Sequence, residues 1–194
     1  MYGLNTDKTR KNKVKTATVR SAKECAFLAV FVAVVIALQL ALSAIPGVEL
    51  VTVLFVTYAY VFGWKRGMAA ATTFALLRQL LFGFFPTVLI LYLIYYNFLA
   101  LLFGLLGKKI KFTYKFLPLL VVIACVCTLL FTVLDGVITP IWYGYTARAT
   151  RAYFVAALPF ALPQVICTAV SVATLFIPLY KVFVLAGKPI LRKK

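Results

Sequence analysis

Apolar residues in this chain fall in long runs separated by short polar or basic patches. A helix rises about 1.5 Å per residue, so roughly 20 apolar residues carry it across the hydrocarbon core of a bilayer. The pattern predicts six spans, at 25–45, 48–64, 67–85, 87–107, 113–138 and 162–186. Pro46 and Gly47 end the first, Trp64-Lys65-Arg66 the second and Pro86 the third. Gly107 with the lysines around it ends the fourth, and 135-DGVITP-140 ends the fifth. Pro159 and Pro163 interrupt the last apolar run. Proline suits the first turn of a helix rather than its interior, which places the sixth start near 162. Residues 141–161, rich in aromatics and carrying Arg148 and Arg151, then read as an interfacial segment capping the bundle. The expected fold class is an all-α integral membrane protein, a six-transmembrane-helix bundle.

Composition strengthens this reading. Hydrophobic residues make up 64% of the 194 positions and charged residues 13%, against about half and about a quarter in soluble domains. Mean hydropathy is +1.03. A net charge of +17 raises the possibility of a nucleic-acid partner, but the placement of the charges argues against one. Lys8, Arg10, Lys11, Lys13, Lys15, Arg20 and Lys23 precede the first run, and Lys65 and Arg66 separate the second and third. Lys108, Lys109, Lys111 and Lys115 separate the fourth and fifth, and Lys188, Arg192, Lys193 and Lys194 close the chain. With six spans these patches share one side, and only Arg148 and Arg151 fall in turns on the other. The positive-inside rule then predicts N-in, C-in topology, multi-pass in the plasma membrane with both termini cytoplasmic. Residues 1–21 form a basic tail expected to be disordered or lipid-facing. The first apolar run is too long for a signal-peptide core, and 43-SAIPG-47 is a weak cleavage site.

Catalytic chemistry has little to work with. The chain has no histidine, and its acids are Asp7, Glu24, Glu49 and Asp135. No serine nucleophile elbow occurs. The fragment 104-GLLGKKI-110 lacks the first glycine and the Ser/Thr of a phosphate-binding loop. Cys25, Cys125, Cys127 and Cys167 lie in apolar segments without a CxxC pair and read as buried structural residues. An enzyme is not expected, nor a cofactor or metal site.

Polar residues inside the spans are not placed at random. Gln39 and Arg78 each lie roughly 10 Å below the outer ends at Pro46 and Pro86. Gln79 follows Arg78, Asn97 lies near mid-membrane, and Gln164 lies near the outer start of the sixth span. Glu49 and Asp135 mark outer helix ends. Buried polar groups are costly in lipid, so their shared depth predicts an outward-opening cavity. The expected substrate-binding residues are Arg78, Asn97, Gln164, Gln39, Tyr92, Tyr96, Glu49 and Asp135. Three roles are open to Arg78: holding a ligand, pairing with Glu49 or Asp135, or snorkelling to headgroups. Asn97 and Gln164 also fit interhelical hydrogen bonding, and the tyrosines fit an interfacial belt.

On the first span, Ala29, Ala33, Ala37 and Ala41 recur every four residues, a small-residue ridge that lets another helix approach closely. Internal packing explains that spacing equally well. The ridge, the six apolar runs, the basic tail, and the stretches 45-IPGVELVTVLFVTYAYVFGWKRG-67 and 82-FGFFPTVLILYLIYYNFLALLFGLLGKK-109 together resemble the S component of energy-coupling factor (ECF) transporters. The resemblance covers most of 22–190. It implies an outward-facing pocket for a vitamin or similar micronutrient. It also implies docking on an ECF transmembrane scaffold subunit coupled to two ATPase subunits, through Ala29, Ala33 and Ala37. Cobalamin, riboflavin, pantothenate, thiamine and nucleobase-like compounds all fit that expectation. A stand-alone secondary carrier and a non-transporting membrane scaffold are the alternatives; the carrier ordinarily needs a coupling carboxylate deep in the membrane, which this sequence lacks.

Overall fold

The computed structural model describes the backbone of residues 4–45, 49–110 and 112–191, and side chains over 22–45, 49–110 and 112–187. It is all-helical. The helices are α1 (Leu4–Leu42), α2 (Val51–Phe62), α3 (Trp64–Phe82), α4 (Pro86–Lys109), α5 (Leu117–Tyr143) and α6 (Ala147–Leu191), with a 3-10 turn at Tyr114–Phe116 leading into α5. Among the described residues, four stretches are long and apolar enough to cross a membrane: Ala22–Leu42, Pro86–Lys109, Tyr114–Tyr143 and Ala147–Gly187.

Three expectations are corrected. First, residues 4–21 are not a separate disordered tail but the start of α1, which runs for 39 residues. No glycine or proline occurs between Leu4 and Ile45, so no residue in that stretch forces the helix to stop. Second, 141–161 is not a connection capping the bundle: 141–143 end α5 and only 144–146 join it to the next helix, so most of the stretch, 147–161, is helical. Residues 147–161 are the first part of α6, a 45-residue helix that passes through Pro159 and Pro163. Contacts with α5 hold this stretch in place: the Tyr153 hydroxyl donates to Asp135 Oδ2 at 2.7 Å, and Phe154 packs against Gly136. Proline is tolerated within membrane helices when neighbouring groups compensate for the lost backbone bond. Third, the second span is shorter than expected, with 12 helical residues in place of 48–64.

The brevity of α2 goes with its position. Every residue from Val51 to Tyr60 is buried, as is Phe62, which suits a helix that is apolar on all sides. It packs against α1, α3, α4 and α6. Gly63 alone separates it from α3, at φ +83, a conformation glycine adopts without a Cβ penalty. α4 presses on this corner. A Cβ at Gly104 would collide with the backbone of Trp64, and one at Gly107 with the backbone of Tyr60. Gly67 completes the close approach, with Ala59 and Ala100 Cβ atoms 3.0 and 3.1 Å from where its own would lie.

The core is aromatic. Phe31 stacks on Tyr58 at 4.0 Å between centroids, and Phe55, Phe74 and Tyr96 meet at 4.9–5.3 Å. On α1, Phe31, Val32, Val35 and Ile36 face this core, whereas Ala29, Ala33, Ala37 and Ala41 are exposed. The alanine ridge therefore takes no part in internal packing. At the end of the bundle where α2 meets α3, Arg66 bonds Glu24 Oε1 of α1 at 2.8 Å.

Candidate functional site

The opposite end of the bundle holds a cavity of about 370 Å³. Every helix contributes to its wall. Gln39, Leu42 and Ser43 come from the end of α1 and the turn after it; Glu49, Leu50 and Val51 come from the entry to α2. Arg78 and Phe82 come from the last turns of α3, Tyr92 from α4, Phe131 from α5, and Phe160 and Gln164 from α6. An adjoining recess of about 340 Å³ shares Phe131, Phe160 and Gln164 and adds Thr132, Asp135 and Tyr153.

Two polar networks hold the cavity walls. In the first, Arg78 Nε donates to Gln39 Oε1 at 3.1 Å, and Gln39 Nε2 donates to the Tyr92 hydroxyl at 3.0 Å. The guanidinium carbon lies 4.6 Å from the Tyr92 ring centre and 4.7 Å from that of Phe82. This aromatic clamp favours a cation and fixes its plane. Arg78 Nη1 is buried without a hydrogen-bond partner. In the second network, Glu49 accepts from the Tyr96 hydroxyl at 2.8 Å through Oε1 and from Gln164 Nε2 at 2.7 Å through Oε2. Cys167 fixes the Glu49 backbone: its sulfur accepts from Glu49 N at 3.3 Å, and its thiol donates to Glu49 O at 3.6 Å. No salt bridge joins Arg78 to Glu49 or Asp135; the ion pair among the described residues is Arg66–Glu24 at the far end.

The structure thus brings Gln39, Glu49, Arg78, Tyr92 and Gln164 into one cavity, with Tyr96 buried behind Glu49. Asp135 lines the adjoining recess and accepts from Thr139 at 2.9 Å and Tyr153 at 2.7 Å. Asn97 lies elsewhere, joining helices: Thr72 Oγ1 donates to its Oδ1 at 3.2 Å, and its Nδ2 donates to Leu93 O at 2.8 Å. Gln79 is buried and accepts from Phe85 N at 3.0 Å, holding the α3–α4 turn. The cysteine expectation needs correcting in part: Cys127 is buried, Cys125 and Cys167 are half-buried, and Cys25 is exposed.

Sequence reasoning missed Phe82, Phe131, Thr132, Tyr153 and Phe160. Phe131 lies four residues before Asp135 on one helix face, a spacing that ties the two together. Phe160 and Tyr153 were hidden by the reading of 141–161 as a connection. Among the described residues no group of three His, Cys, Asp or Glu is arranged to hold a metal ion. Charged side chains, hydrogen-bonding groups and aromatic rings together line the cavity of about 370 Å³. Compared with family models, curated proteins and solved structures, the chain gives no match.

Proposed function

We propose that this chain is the substrate-binding S component of an ECF-type importer, capturing a vitamin-like micronutrient and delivering it to a scaffold and ATPase module. In this reading the protein crosses the plasma membrane six times with both termini cytoplasmic, and the cavity opens outward. The observation that carries it is Arg78: a guanidinium clamped between two rings, unpaired with any carboxylate among the described residues, lining a cavity of about 370 Å³. Arg78 is half-buried with its Nη1 buried and unpartnered, and a cation within the membrane is costly unless a counter-charge, here a ligand, compensates it. The ridge of Ala29, Ala33 and Ala37 supports the second half of the reading. It is exposed along α1, and small residues there permit close approach by a helix of the scaffold. The protein itself performs no chemistry in this scheme; the energy comes from the ATPase subunits.

The test is to purify the tagged chain from its native membrane. Mass spectrometry should find a small molecule carried with the wild type and lost from Arg78→Ala, together with a membrane subunit and ATPase subunits in the same complex. Recovery of the folded chain with neither would remove the proposal.

A further inference from the structure

Arg78 and Glu49 line the same cavity yet do not pair. Each is held in place by neutral groups. Gln39 receives the Arg78 Nε–H at 3.1 Å, while Tyr96 and Gln164 donate to the two Glu49 oxygens at 2.8 and 2.7 Å. Neutral partners satisfy hydrogen-bond directions but leave the charges uncompensated, and Arg78 Nη1 lacks even a neutral partner. Two opposite charges kept apart in one cavity present a fixed dipole. A purely anionic ligand compensates Arg78 but meets the repulsion of Glu49, with Asp135 in the adjoining recess adding to it. A purely cationic ligand meets the converse problem at Arg78. Only a molecule carrying both charges compensates both ends.

We propose that the cavity selects a compact aromatic zwitterion, its acidic group on Arg78 and its cationic nitrogen on Glu49. This rests on the reading of the cavity as a substrate site and narrows it. The aromatic body follows from the walls, where Phe82, Tyr92, Phe131 and Phe160 surround the two charges. Compactness follows from a volume of about 370 Å³, near the small end of ligand pockets.

The full chain in lipid nanodiscs is offered a panel of matched probes, and retention is read by affinity-selection mass spectrometry. The panel holds the aromatic α-amino acids and 4-(aminomethyl)benzoate, each beside one analogue lacking the nitrogen and one lacking the acid. Wild type should retain at least one zwitterion about tenfold or more better than both of its single-charge analogues. Glu49→Gln should bring that zwitterion down to the level of its acid-only analogue, and Arg78→Gln toward its amine-only analogue. The wild-type comparison needs no variant to fold. Equal retention of acid-only probes, with Glu49→Gln silent, overturns the zwitterion and leaves an anion-binding substrate site standing. Retention of no zwitterion overturns it as well, and a native ligand of another charge type found by co-purification then keeps the broader reading.

Discussion

The Tyr96 hydroxyl donates to Glu49 Oε1 at 2.8 Å across 47 positions of sequence, tying the entry of α2 to the middle of α4. Tyr96 is fully buried, and its ring meets Phe55 at 4.9 Å and Phe74 at 5.3 Å between centroids. The carboxylate at the cavity wall is therefore aimed by a side chain that belongs to the core.

Tyr96→Phe keeps those ring contacts and removes only the donor. Glu49 Oε1 loses its partner, and Gln164 alone steers the carboxylate. Loss of about 1–2 kcal/mol of stability is expected, the range for a hydrogen bond to a charged group moderated by its membrane setting. Chemical unfolding of the purified variant in detergent measures it. A variant as stable as wild type would mean that the bond contributes nothing to folding.

Arg78→Ala removes the clamped cation. Affinity for the co-purifying ligand should fall by about 1.5–3 kcal/mol, the value of a charge-assisted hydrogen bond. Arg78→Lys should recover little of it, because an ammonium cannot reproduce the planar stack on Tyr92 and Phe82 together with the Nε bond to Gln39. Calorimetric titration of the ligand-free protein reads both numbers, and full recovery by lysine would show that charge alone matters.

Much of this site was legible in the sequence, for a physical reason. Polar side chains within apolar runs are few, so the shared depth of Gln39, Arg78, Gln164 and Glu49 stood out, and the fold brings them together. Asn97 shows the limit of depth as a guide. It lies on the part of α4 that faces Thr72 of α3 rather than the cavity, and only the packing of helices decides that. The start of α6 was illegible because proline propensity pointed to a break at 159 and 163, while contacts from Tyr153 and Phe154 to α5 kept the helix continuous. The brevity of α2 was equally hidden. Its apolar run looks like a membrane span, and nothing local announces that protein surrounds it on all sides.

The α2–α3 corner supplies a packing test. Gly104→Ala places a methyl group against the Trp64 backbone, which cannot rotate away as a side chain would. α4 has to retreat from α2 and α3, and a loss of about 2 kcal/mol or more is expected from overpacking at a backbone contact. Gly144→Ala makes the control. It has open space but φ +64, so it should cost only about 1 kcal/mol of backbone strain. Thermal unfolding of the two variants side by side should rank them in that order; the reverse ranking would mean that α4 is not seated on the corner.

Ala33→Leu separates docking from folding. Ala33 is exposed on α1, whereas its neighbours Val32, Val35 and Ile36 enter the core. A larger apolar side chain there meets lipid or detergent instead of protein, so stability should stay within about 0.5 kcal/mol of wild type. Ala33 also lies outside the cavity, so ligand affinity should be unchanged as well. What leucine does alter is how near another helix can come, because close helix pairs in membranes depend on small residues at the crossing. The expected result is normal ligand binding by the isolated chain, with loss of co-purifying subunits and of uptake in cells. Ala37→Leu, one helical turn along the same ridge, should behave alike. Uptake that survives both substitutions would clear this face of any docking role and leave the ridge as lipid-facing surface.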